Sequence, residues 1–156
     1  MNEPQLLLLD EPTTGLDPQA RHALWDKLFR LKREGVTLVL TTHYRDEAEQ
    51  LCDRLVIMDR GRIAEEGSPA ELIQRLSTRE VVELRFPGDT PRVEAGTFNG
   101  RVARIEALPD RLLLYTDDGD ALVPVAHERL HPQSVLVRRS TLEDVFLRLT
   151  GRTLID

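Results

Sequence analysis

The sequence predicts an α/β unit with a parallel sheet over residues 1–77, followed by a small α+β domain with a mainly antiparallel sheet over 78–156. Three observations predict it. Two short apolar runs, at 6–9 and 36–40, flank a segment of helical periodicity, which is the order of a parallel crossover unit. After Ser77-Thr78 the texture changes to short alternating runs punctuated by Gly88, Gly96, Gly100 and Gly119. A capped amphipathic segment from Thr141 then closes the chain.

Leu6-Leu7-Leu8-Leu9 shows no alternation and is bounded by turn-forming residues, so it reads as a strand covered on both faces. Asp17 is placed to cap a helix, with Pro18 at its first position. Ala20, Leu24, Leu28 and Leu31 recur at helical spacing, and Gly35 is placed to end that helix. Residues 36–40 read as a second buried strand and 45–52 as a short helix. Residues 55–58 and 62–64, joined by Arg60-Gly61, read as a hairpin. Ser68-Pro69 opens a further helix with Leu72, Ile73 and Leu76 on its apolar side.

In the second half, Val82, Leu84 and Phe86 alternate with charges, and similar runs stand at 102–108, 112–115 and 135–137. Thr141 with Asp144 is close to a capping box. Leu142, Val145, Phe146 and Leu149 make an apolar stripe that Gly151 closes, and the acidic residues of this segment read as a solvated face.

Composition narrows the class. A net charge of −6 argues against nucleic-acid binding, which normally needs a basic footprint. The lone Cys52 excludes an internal disulfide and a cysteine-based zinc site, and reads as a small half-buried residue. The apolar run at 6–9 is too short to span a bilayer, and no secretory leader opens the chain. A cytoplasmic location is expected, with any membrane role by attachment to another protein.

Asp10 and Glu11 stand where a buried strand emerges at its C-terminal end, the place where open α/β sheets put their ligands. A strand-end aspartate is a common protein contribution to Mg²⁺ beside nucleotide phosphates, and a neighbouring carboxylate can orient or deprotonate a water. By itself the pair reads equally well as a polar strand end. The residues that follow decide between the two. Leu7-Leu8-Leu9-Asp10-Glu11-Pro12-Thr13-Thr14-Gly15-Leu16-Asp17-Pro18 resembles the Walker B motif and D-loop of ABC ATPases. Leu38-Val39-Leu40-Thr41-Thr42-His43 resembles the strand that ends in the family's switch histidine. Glu47-Ala48-Glu49, Cys52-Asp53-Arg54, Met58-Asp59-Arg60-Gly61-Arg62-Ile63 and Gly67-Ser68-Pro69 continue the match to about Leu76.

The resemblance implies a role for each position. Asp10 would hold Mg²⁺, Glu11 would be the catalytic carboxylate, and His43 would contact the γ-phosphate. Asp17 would lie on the D-loop, facing a second ATPase subunit, while also serving as the helix cap. His22, His127 and His131 match nothing and read as surface residues. The core match resembles the ATP-hydrolysing subunits of ABC-2-type exporters, the drug-resistance and nodulation-factor group. Asp17-Pro18-Gln19-Ala20-Arg21-His22 and Thr41-Thr42-His43-Tyr44 look especially like the nodulation-factor relatives. The ending Leu142-Glu143-Asp144-Val145-Phe146-Leu147-Arg148-Leu149-Thr150-Gly151-Arg152 resembles the accessory C-terminal domain of that group. The implied partners are a membrane-spanning permease and a second ATPase subunit, on the inner face of the plasma membrane.

The family's phosphate loop, GxxxxGK[ST], is not in these residues: Lys27 and Lys32 are the lysines, both in the predicted helix after Asp17. The Ser-Gly-Gly signature and glutamine loop are not found either, and all three are expected upstream of Met1. ATP and Mg²⁺ are therefore expected in a full-length parent and not on this chain alone, while the open core strand is expected to drive self-association. A competing reading is an ATP-independent module that regulates or dimerises with a full-length subunit. A third is an ABC protein of translation or DNA repair, a group that lacks this accessory ending.

Overall fold

In the computed structural model, which describes residues 4–151, Leu6–Asp10 form β1 and Pro18–Arg33 form α1. Asp17 caps α1, its Oδ1 accepting from Ala20 N at 2.9 Å, and Pro18 follows. Gly35 takes φ +88°, a left-handed conformation that releases the chain from the helix into β2 (Thr37–Thr41). Strands β1 and β2 pair in parallel, with Leu6 opposite Thr37 and Asp10 opposite Thr41. The short helix α2 (Arg45–Leu51) follows. Leu9, Leu38 and Leu40 pack with Trp25, Leu28 and Leu51 into the core of this first unit, Met1–Leu55.

The strands are not covered on both faces. Leu6, Leu8 and Val39 share the face opposite α1 and are each more than half exposed. An uninterrupted apolar run signals apolar surroundings without saying which element provides them. Among the described residues of this unit, helices lie on one side only. Two parallel strands with an exposed apolar face and free edges are prone to association. Light scattering is expected to show a mass that rises with concentration; a monodisperse monomer throughout would contradict this.

The second unit, Val56–Asp156, is described by its own elements. Strands β3 (Leu55–Asp59) and β4 (Arg62–Gly67) form a hairpin turned by Arg60 and Gly61, both at positive φ. Helix α3 (Pro69–Leu76) starts at a capping box in which Glu71 N donates to Ser68 and Ser68 N donates to Glu71. There follow β5 (Glu80–Arg85), a 3₁₀ turn at Ala95–Phe98, β6 (Arg104–Ala107), β7 (Leu112–Thr116), α4 (Gly119–Leu130), β8 (Ser134–Arg139) and α5 (Leu142–Thr150).

The sheet has the order β6-β7-β5-β8, antiparallel throughout. This is a split crossover arrangement whose first connection is a loop and 3₁₀ turn where a helix often stands. The central β7 is buried on both faces, which explains its unbroken Leu112-Leu113-Leu114-Tyr115. On one face Val82, Leu84, Leu112 and Leu114 pack with Leu122 and Ala126 of α4 and with Phe98 and Val102. On the other, Val81, Leu113 and Tyr115 pack with Leu147 of α5, and α3 lies against α5.

Helix α4 departs from the expected texture, in which Gly119 only punctuates short alternating runs. Gly119 is instead the first helical residue, pressed against the sheet. Its N–H donates to Glu80 Oε2 at 2.7 Å, and a Cβ there would meet Val137 Cγ1 at 2.5 Å. Gly119→Ala is expected to destabilise this unit by about 1–3 kcal/mol through overpacking, read as a lower urea midpoint by far-ultraviolet circular dichroism.

Of the acidic residues of α5, Glu143 is exposed as expected but Asp144 is interior. Asp144 is 1% exposed and not part of a solvated face. Its carboxylate accepts from Arg138 Nη1 (2.8 Å) and Nη2 (3.0 Å), from the Tyr115 hydroxyl (3.0 Å) and from Thr141 N (2.8 Å). Arg138 Nε also donates to Glu83 at 2.7 Å. Met1, Asn2, Glu3 and Arg152, which entered the family resemblance, lie outside the described residues.

Candidate functional site

The C-terminal ends of β1 and β2 bring Asp10, Glu11 and His43 together. Register places Asp10 beside Thr41, and the Thr41 hydroxyl donates to Asp10 Oδ1. Glu11 N donates to Thr41 O at 3.0 Å and lies 3.1 Å from Thr41 Oγ1. These contacts hold Glu11 at φ +43°, a left-handed conformation that costs a non-glycine residue about 1–3 kcal/mol and is common at functional sites. The bend turns the Glu11 side chain off the strand. Its Oε2 then accepts from the Thr14 hydroxyl at 3.3 Å, and its Oε1 lies 3.4 Å from His43 Nδ1.

His43 is fixed from behind. Its ring packs on Tyr44 at 4.1 Å, and the Arg21 guanidinium lies 4.6 Å over the Tyr44 ring. Arg21 Nη1 is paired with Asp46 at 3.2 Å, so α1 and α2 both support the histidine. Arg45 Nη1 donates to the His43 carbonyl at 3.0 Å. Asp10 and Glu11 are exposed, while His43 is half-buried.

The other assigned position stands apart from this group. Asp17 is exposed and engaged with the first turn of α1 as its cap. Lys27 and Lys32 are both on α1, and Lys32 Nζ is held by Leu51 O at 2.7 Å and Asp53 at 3.0 Å. Cys52 is half-buried, and burial pushes its thiol pKa up, the reverse of an activated nucleophile. His22, His127 and His131 are exposed.

Reading the sequence alone did not single out Thr41, Thr14, Arg21 or Tyr44, which orient the pair. The polar residues Thr41-Thr42 at the end of an apolar run were the available signal. Among the described residues no group of three or more His, Cys, Asp or Glu side chains could hold a metal ion. The strand end thus offers one or two carboxylates, the share of Mg²⁺ coordination that protein supplies when phosphates and waters provide the rest. The donor set fits a hard cation: Asp10 presents two oxygens, one of them oriented by Thr41.

Comparison with known proteins adds an independent finding. Residues 92–151 match the family model of the C-terminal domain of the nodulation factor export protein NodI, and residues 1–44 match an AAA domain model. The chain is similar to Nod factor export ATP-binding protein I of Rhizobium etli, 45% identical over 152 residues, covering 97% of this chain and 47% of the relative. It is also similar to the protein of that name from Ralstonia nicotianae, 43% identical over 162 residues, with 100% and 50% covered. The chain thus spans about half the length of these curated relatives. A solved ATP-binding subunit of an ABC transporter aligns with 38% identity and a TM-score of 0.42, over 46% of this chain and 30% of that one. No helix among the described residues is long and apolar enough to cross a membrane.

Proposed function

This chain is a homologue, along its whole length, of ABC-type exporter ATP-binding subunits, and from that premise we propose that it carries the metal-binding, catalytic and switch residues of an ATPase that energises ABC-2-type export. The observation that carries the proposal is the Glu11–His43 pair at 3.4 Å, held at a strained strand end beside Asp10.

Asp10 is the residue that would hold Mg²⁺, and the cation would neutralise charge on the β- and γ-phosphates when bound. Thr41 keeps the Asp10 carboxylate oriented for that task. Glu11, fixed by Thr14 and His43, takes the proton of the attacking water at its carboxylate. His43 presents its ring to the γ-phosphate and, through Glu11, links the presence of that phosphate to the catalytic carboxylate. Asp17 keeps the D-loop turn in place for a second subunit.

Residues 1–77 on this reading carry the ATPase motifs and 78–156 an accessory domain. Packing divides the chain elsewhere, after Leu55. The partners are a membrane permease and a second ATPase subunit, which would hold the protein at the inner face of the plasma membrane. The phosphate loop must come from residues outside these 156.

The test is a chimera in which the N-terminal half of the Rhizobium etli relative is joined to this chain at the matching register. ATP hydrolysis that neither part shows alone supports the proposal. An inactive chimera, combined with tight binding of this chain to the intact relative, would favour the ATP-independent module.

A further inference from the structure

Glu47 is fully buried on α2, yet no role in the nucleotide site falls to it from its motif. Its Oε1 accepts from the indole N–H of Trp25 at 3.0 Å, while its Oε2 is buried with no hydrogen-bond partner among the described residues. A carboxylate oxygen left in that state is strongly disfavoured, and an internal water is the usual remedy.

Two other side chains of the same unit hold orphaned buried atoms, Thr13 Oγ1 and Arg21 Nε. Thr13 is 1% exposed in the turn between Glu11 and the Asp17 cap, next to the Thr14 hydroxyl that holds Glu11. Arg21 lies one helical turn before Trp25, on the face of α1 that meets α2. Arg21 bonds Asp46 there while Trp25 bonds Glu47. The chemistry is complementary: the Arg21 N–H and the Thr13 hydroxyl can donate, and Glu47 Oε2 can accept.

We infer that Glu47 is a positioning residue for the Glu11–His43 pair. Through Trp25 on one oxygen and a buried water shared with Thr13 and Arg21 on the other, it locks the turn that carries Glu11 to the helix that follows His43. The purpose of this lock rests on the hydrolytic reading of Glu11 and His43. Its test reads geometry without turnover, so the two can fail separately.

The experiment is amide and side-chain NMR of the dilute 156-residue chain. Glu47→Gln keeps the volume and an acceptor for Trp25 but removes the charge and points N–H groups at the water. Signals of residues 11–14 and of the His43 ring are expected to shift, together with the Trp25 indole, while those of β5 and β7 stay fixed. A role confined to local packing would limit the shifts to residues 21–28 and 45–51, and that result overturns the inference. Thr13→Val is nearly isosteric and acts from the other end of the lock. It is expected to move the Trp25 indole and His43 signals. If Glu47→Gln fails to fold, Thr13→Val decides alone: unmoved Trp25 and His43 signals overturn the inference, and shifted ones support it.

Discussion

Replacing Asp144 by alanine is expected to destabilise the antiparallel sheet unit by about 3 kcal/mol, as removal of one partner of a buried ion pair does. The substitution strands the Arg138 guanidinium and the Tyr115 hydroxyl, and it removes the acceptor for Thr141 N at the start of α5. Glu83 still holds Arg138 Nε at 2.7 Å, which keeps the loss at the lower end of the usual range. Chemical denaturation followed by circular dichroism measures it. An unchanged midpoint would show that these bonds contribute nothing net.

The same carboxylate sets a pH dependence. Burial alone would raise the Asp144 pKa. Hydrogen bonds from Arg138, Thr141 and Tyr115 outweigh burial and hold the pKa below the usual carboxylate range. A carboxylate with a lowered folded-state pKa adds stability above its unfolded value, near pH 4, and that stability is lost as pH falls through the folded value. The wild type should therefore lose stability below about pH 4 in a way that Asp144→Asn does not. Tyr115 moves the opposite way: burial first, then the Asp144 charge, pushes its phenol well above the ordinary value, so it remains a donor.

Glu11→Gln carries the largest expected effect on activity. In the chimera with the Rhizobium etli half, a positioned general base is worth about 10²–10⁴-fold in rate, and loss on that scale is expected. That corresponds to about 3–5 kcal/mol of barrier. Glutamine keeps an oxygen to accept from Thr14 but cannot take a proton from water, so nucleotide binding should survive while turnover falls. Equal turnover of the two proteins would remove Glu11 from the mechanism.

Much of the first unit was legible in the sequence because its signals are local. Asp17-Pro18 and Gly35 bracket α1, and the apolar runs mark β1 and β2. Asp10, Glu11 and His43 could be named as candidates because their order and spacing resemble a known motif, and the structure brings those three together. What stayed hidden depends on pairing between distant residues. The register of β5, β7 and β8 puts Tyr115 and Arg138 on one face with Glu83, so Asp144 becomes an interior group. The contact of α1 with α2 buries Glu47 against Trp25 in the same way. Helix α4 contains Gly119 and Pro124, whose propensities point away from a helix that sheet packing nonetheless imposes.

The central claim is that this chain holds catalytic and metal-binding residues whose phosphate-binding loop lies in other residues. Equilibrium dialysis of the 156-residue chain against Mg-ATP tests it most directly. The claim predicts no retention of nucleotide at micromolar concentrations, because one or two carboxylates and a histidine replace none of the amide and lysine contacts of a phosphate loop. Saturable micromolar binding would contradict it.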